Sequence, residues 1–181
     1  MQNRLNATLG IFLIPVFVLL GAAQTKDKSQ RPSPPEQAQC KFSDGNSVTV
    51  NYSSPRMKGR KIFGDLVPYG EVWRTGANEA TSFVTTVGLT AGSTSVPAGN
   101  YTIFTLPTAS KWTLIINKKT GEWGIPYKYE SDELGRVDMK VSQTASPVEN
   151  FTIAFDPSGS ACTMNLSWEN TQASVTLREA K

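Results

Sequence analysis

Six side chains between positions 69 and 81 have the types and spacing to do chemistry: Tyr69, Trp73, Arg74, Asn78, Glu79 and Thr81. Arg74 carries a planar fork of donors that matches a carboxylate or a phosphate. Asn78 and Thr81 can donate and accept hydrogen bonds to hydroxyls. Tyr69 and Trp73 offer flat apolar ring faces with a polar edge, suited to stacking on a sugar. Together they fit a glycan or a carboxylated cell-envelope fragment. Glu79 adds a carboxyl group whose pKa apolar neighbours would raise, as a general acid requires. A carboxylate-based hydrolase of envelope glycans is therefore the enzymatic alternative, with Glu79 as acid/base. Its partner would be Asp65, Glu71 or Asp132, about 5–10 Å away, and the spacing selects none of the three. A purely structural reading competes with both: Arg74 and Glu79 pair with each other, Asn78 occupies a turn, and the aromatics anchor the segment.

Composition narrows the chemistry further. The 181-residue chain contains no histidine, which removes Ser-His-Asp and Cys-His nucleophile systems and HExxH zinc sites. Its two cysteines are too few for a four-cysteine zinc or iron–sulfur site. No DxDxDG-type calcium loop, GxGxxG or GxxxxGK[ST] occurs, so neither a metal nor a cofactor is expected. A second cluster, Arg56, Lys58, Arg60 and Lys61, is basic enough to attract an anion, although a solvated loop is the plainer reading. It is too short for nucleic acid. The sequons at Asn51, Asn100, Asn150 and Asn165 reflect an Asn/Ser/Thr-rich composition.

Met1–Ala23 has the three parts of a cleavable secretory signal peptide: Arg4, the apolar run Leu9–Leu20, and small residues at Gly21–Ala23. An uncleaved anchor is the alternative, but a run of about twelve apolar residues is short for a span that needs about twenty. Cleavage would leave no transmembrane span and place the protein outside the cytoplasm, in the periplasm or the medium. Eighteen basic and fifteen acidic residues become seventeen and fifteen once Arg4 leaves with the leader, a balance too even to point to nucleic acid. Residues 24–39 read as a flexible polar tether, and residues 40–178 as a single domain. In an oxidising compartment Cys40 and Cys162 fit one disulfide, with two buried free thiols as the alternative. Nothing in the sequence fixes the oligomeric state.

The elements that must position these residues are strands. Alternation recurs at Val48–Tyr52, Phe83–Val87, Tyr101–Leu106, Trp112–Ile116, Val137–Val141, Phe151–Phe155 and Cys162–Trp168, with ASVTL closing the set. Turn signals separate many of these runs, among them Pro97-Ala98-Gly99-Asn100 and Asp156-Pro157-Ser158-Gly159. The pattern predicts an all-β, antiparallel β-sandwich or jelly-roll-like domain of eight or nine short strands with little helix. Ser53–Thr81 breaks the alternation. Gly59, Gly64, Gly70 and Gly76, with Pro55 and Pro68, describe an ordered loop over one end of a sandwich. Loops on rigid scaffolds often carry function.

The run GRKIFGDLVPYGEVWRTGANEAT, with VPAGNYTIFTLP, WTLIINKKTGEWG and ENFTIAF, resembles the signature of a family of exported bacterial proteins, domain of unknown function 2911. The likeness covers nearly all of residues 40–177. It implies an exported bacterial β-sandwich and no particular activity. The expectation for function is a non-enzymatic envelope protein that binds a ligand or partner through the 53–81 loop.

Overall fold

Val48, Val50 and Tyr52 are buried while Thr49 and Asn51 are not, the period-two burial of a half-buried strand. A computed structural model describes residues 27–180, and the expected leader at 1–23 lies outside them. The strands are β1 (Pro35–Lys41), β2 (Ser47–Ser53), β3 (Thr81–Thr85), β4 (Leu89–Ala91), β5 (Thr94–Val96), β6 (Gly99–Pro107), β7 (Trp112–Asn117), β8 (Glu133–Ser158) and β9 (Ala161–Glu179). Two three-residue 3-10 turns are the only helical segments among the described residues. No helix among them is long and apolar enough to cross a membrane.

All pairings between these strands are antiparallel, in the order β1-β2-β3-β6-β7-β8-β9-β4-β5. The sheet folds over on itself along β8. Its first part, Glu133–Met139, pairs with β7, and its register against β9 shifts between Gln143 and Thr152. Pro147 falls in that irregular stretch, where a residue without an N–H costs no ladder bond. The far half of β8 then faces β2: the Ile153 N–H donates to the Tyr52 hydroxyl at 3.1 Å, and Ser54 Oγ donates to the Phe151 carbonyl at 2.7 Å. The Cys40–Cys162 disulfide joins β1 to β9 across the same interior. The all-β, sandwich-like expectation holds, with two corrections. The late strands are not short, because Val137–Val141 and Phe151–Phe155 are parts of one strand of 26 residues, and Cys162–Trp168 runs on through ASVTL in one of 19. The second correction falls on the stretch expected to be a flexible polar tether. Residues 35–39 are strand, and their polar side chains face solvent at a sheet edge, where no apolar period is needed.

The segment between β2 and β3 is a plug. Ile62, Phe63 and Val67 are buried, and Phe63, Trp73, Trp112, Phe151 and Trp168 form one aromatic cluster. Trp73 lies 5.9 Å from Trp168 in a stacked pair and meets Phe151 edge-on at 4.9 Å. Polar contacts hold the plug in place. Glu169 Oε2 accepts the Ile62 and Phe63 N–H groups at 3.3 and 3.4 Å, and Trp73 exchanges backbone bonds of 2.7 and 2.9 Å with Thr105 on β6. On the opposite face of β6 and β7, Phe104, Ile115 and Tyr129 form a second, smaller core with Tyr127, Val72 and Ala80 against it. The segment after β7 is folded over that face.

Candidate functional site

The six residues expected to form a site are divided by the fold. Thr81 is fully buried, and its Oγ1 donates to the Thr75 carbonyl at 2.7 Å. Asn78 has φ +58°, a left-handed turn geometry that Asn tolerates, and its Nδ2 donates to the Ser33 carbonyl at 3.0 Å. Glu79 receives Lys28 Nζ at 3.1 Å and Arg31 Nη1 at 2.8 Å. Asn78 and Glu79 thus tie residues 28–33 to the fold, while Thr81 bonds within its own segment. Glu79 is held down to about 2 by its own backbone N–H, then by Arg31 and Lys28. An acid catalyst must hold a proton at its working pH. This carboxyl is ionised throughout the physiological range, the reverse of the expected raised pKa, because its surroundings are cationic rather than apolar. Among the described residues, the hollow it lines contains no second carboxylate. Arg74 and Glu79 do not pair with each other.

Trp73 also departs from the expectation. It is packed in the aromatic cluster, and its Nε1 donates to the Gly76 carbonyl at 2.9 Å, so it is a floor residue rather than a free stacking ring. Tyr69 remains exposed. Its ring lies over Gly64, where a Cβ would stand 2.8 Å from Tyr69 Cε2; with φ +84° as well, that position suits glycine alone. Arg74 turns outward, its guanidinium carbon 5.0 Å from the centre of the Trp123 ring. Burial lowers its pKa somewhat, while Glu79 opposes that shift. In the basic cluster, Arg56 donates to the Ser54 carbonyl and hydroxyl, and Arg60 donates to the Met57 and Arg56 carbonyls. Half of that cluster's charge is therefore turned onto the backbone.

What the fold does assemble is a trough between the plug and the segment 122–130. Two adjoining hollows, of about 460 and 290 Å³, share Leu66, Val67, Trp73 and Ile125 as their common wall. The larger continues over Val72, Pro126 and Tyr127 to Glu71 and Glu130. The smaller ends at Arg60 and Arg74. Gly124 lets the two segments approach, since a Cβ there would meet the Ala80 Cβ at 2.8 Å and the Arg74 Cβ at 3.2 Å. Tyr127 is fixed at one end: its hydroxyl donates to Glu133 at 2.6 Å, and burial together with that bond pushes its pKa well above the usual range. Among the described residues, the large hydrophobic side chains that stay exposed are Leu66 (45%), Tyr69 (45%), Trp123 (55%) and Ile125 (43%), all on these two segments. Sequence reasoning reached the first wall and missed the second, formed by Ile125, Pro126, Tyr127 and Glu130. The available signal was the density of aromatics and Gly/Pro in GEWGIPYKY, which has the same character as the plug.

A family model described as a protein of unknown function (DUF2911) matches residues 33–177. No curated protein and no solved structure matches the chain.

Proposed function

The chain belongs to the DUF2911 family of proteins of unknown function, and from that premise we propose that it is an exported, non-enzymatic β-sandwich that binds a cell-envelope ligand in the trough between residues 62–74 and 122–130. The observation that carries the reading is that Leu66 and Ile125, two of the four large hydrophobics left exposed among the described residues, line both hollows, while the other two, Tyr69 and Trp123, lie on the same two segments. Apolar side chains scattered singly over a surface need no explanation, but a cluster of them around a hollow marks a binding site. Part of the 53–81 segment contributes, as the sequence implied, through Leu66, Val67 and Arg74 rather than through Asn78, Glu79 and Thr81. A binding role also accords with the missing histidine and with the ion-paired state of Glu79. Export accords with the Cys40–Cys162 disulfide, since such bonds persist in oxidising compartments.

The test is calorimetric titration of the leaderless chain with a muropeptide digest of peptidoglycan. Wild-type protein and Glu79→Gln are expected to bind equally, and Leu66→Ser/Ile125→Ser to lose at least tenfold in affinity while melting normally. Binding unchanged in the Leu66/Ile125 variant would remove the trough as the site.

A further inference from the structure

The two ends of the trough carry opposite charge. Glu71 and Glu130 stand at the end formed with Pro126 and Tyr127, and Arg60 and Arg74 at the other, with Leu66, Val67, Trp73 and Ile125 between. The ion pairs among the described residues involve Glu79, Asp138 and Glu133 with their cations, and none of these four trough charges takes part in one. Each end thus sets two like charges on one hollow with no direct ion pair, although Glu79 acts on Arg74 and Arg136 on Glu130 from beyond ion-pair distance. A neutral sugar would leave both ends unmatched. A polyanion would meet repulsion from Glu71 and Glu130, and a polycation from Arg60 and Arg74. A zwitterionic lipid headgroup separates its charges by about two carbons and supplies no apolar spacer for the wall between them. The matching ligand has an amine at one end, a carboxylate at the other, and an apolar side chain in the middle. Arg74 is the side chain suited to the carboxylate, because its fork can bond both oxygens, and Arg60, whose Nε and Nη2 are held by the Met57 and Arg56 carbonyls, adds charge beside it.

We propose that the trough holds a short peptide with free termini, its amine between Glu71 and Glu130, its carboxylate at Arg60 and Arg74, and an apolar side chain over Leu66 and Ile125. This rests on reading the trough as the binding site. Charges at exposed positions add specificity and orientation more than affinity, so modest effects with a strong salt dependence are expected.

The probe is the tripeptide alanyl-leucyl-alanine, titrated calorimetrically in three forms: free, N-acetylated and C-amidated. In wild-type protein each cap is expected to weaken binding about tenfold. Acetylation should make no further difference in Glu71→Gln/Glu130→Gln, nor amidation in Arg60→Gln/Arg74→Gln. The capped peptides need no mutation, so they decide the matter even where a variant folds poorly. Equal binding of free and capped peptides overturns the peptide assignment. Binding of the neutral sugar chitotriose that Leu66→Ser/Ile125→Ser abolishes and Glu71→Gln/Glu130→Gln leaves unchanged also overturns it, while keeping the trough as the site. Self-association that buries the trough, seen by sedimentation and lost in Leu66→Ser/Ile125→Ser, overturns both.

Discussion

Replacing Glu79 by Gln keeps the shape of the side chain and removes its charge, so it isolates what the Lys28 and Arg31 contacts contribute. The carboxyl sits at about 2 instead of the ordinary 4.5, so the native state favours the ionised form. That stabilisation is complete above about pH 4.5 and is lost as pH falls through about 2. Taken at face value the shift would be worth about 3 kcal/mol. The Glu79 side chain is 41% exposed and that of Lys28 is 59%, however, and exposed pairs deliver at most about 1 kcal/mol after solvent screening. Thermal melts followed by circular dichroism should therefore place Glu79→Gln roughly 2–4 °C below wild type at pH 7. The gap should narrow at pH 4 and close near pH 2. It should also shrink in 1 M salt, where the screening length falls to about 3 Å. A variant that melts with wild type at pH 7, or a gap that persists unchanged at pH 2, would refute the assignment of Glu79 as an electrostatic anchor for residues 28–31.

The core makes larger demands. Trp73→Ala removes a ring stacked on Trp168 and edge-on to Phe151 and should cost about 3–5 kcal/mol in denaturant unfolding, with Trp73→Phe recovering most of it. Cys40→Ser/Cys162→Ser opens a 122-residue loop and should lose about 2–5 kcal/mol, which reductant reproduces in wild type and not in the variant. Gly64→Ala meets both a left-handed φ of +84° and the Tyr69 ring, so it should destabilise by about 1 kcal/mol or more. Adding Tyr69→Ala should relieve the contact and leave the backbone cost.

The alternating runs exposed β2 and β3 because each has one face on the core, and a period of two is the trace of that asymmetry; β6 and β7 are buried on both faces and were legible from their dense β-branched and aromatic residues. The cysteine pair was legible for a different reason: in an oxidising compartment two thiols have few other fates. Where one of these signals failed, a physical cause is visible. Residues 35–39 have no core to face until Cys40, so a polar edge strand looked like a linker. In the plug and in 122–130 no period exists to separate inside from outside. Trp73 and Trp123 are then equivalent as residue types, although one packs on Trp168 and the other lies in solvent under Arg74. Glu79 was misread for the same reason, since its partners Lys28 and Arg31 belong to a stretch that gave no sign of being held.

Trp73 and Arg74 adjoin in sequence and serve opposite sides of the plug. The Trp73 ring is locked between Phe151 and Trp168, and the backbone N–H groups of Ile62 and Phe63 are held by Glu169. The outer surface of that locked segment is the wall of the trough. A wall built on packed aromatics loses little freedom when a ligand arrives, so more of the contact energy appears as affinity. Stability and recognition should therefore be coupled in one direction. Glu169→Gln keeps the side chain but weakens its hold on the two N–H groups, so it should lower affinity for a trough ligand mainly by raising koff, although Glu169 does not line the trough. Leu66→Ser, at the exposed rim, should reduce affinity with little change in melting temperature. If Glu169→Gln lowers the melting temperature and leaves koff untouched, the plug and the trough are independent, and the segment serves the fold alone.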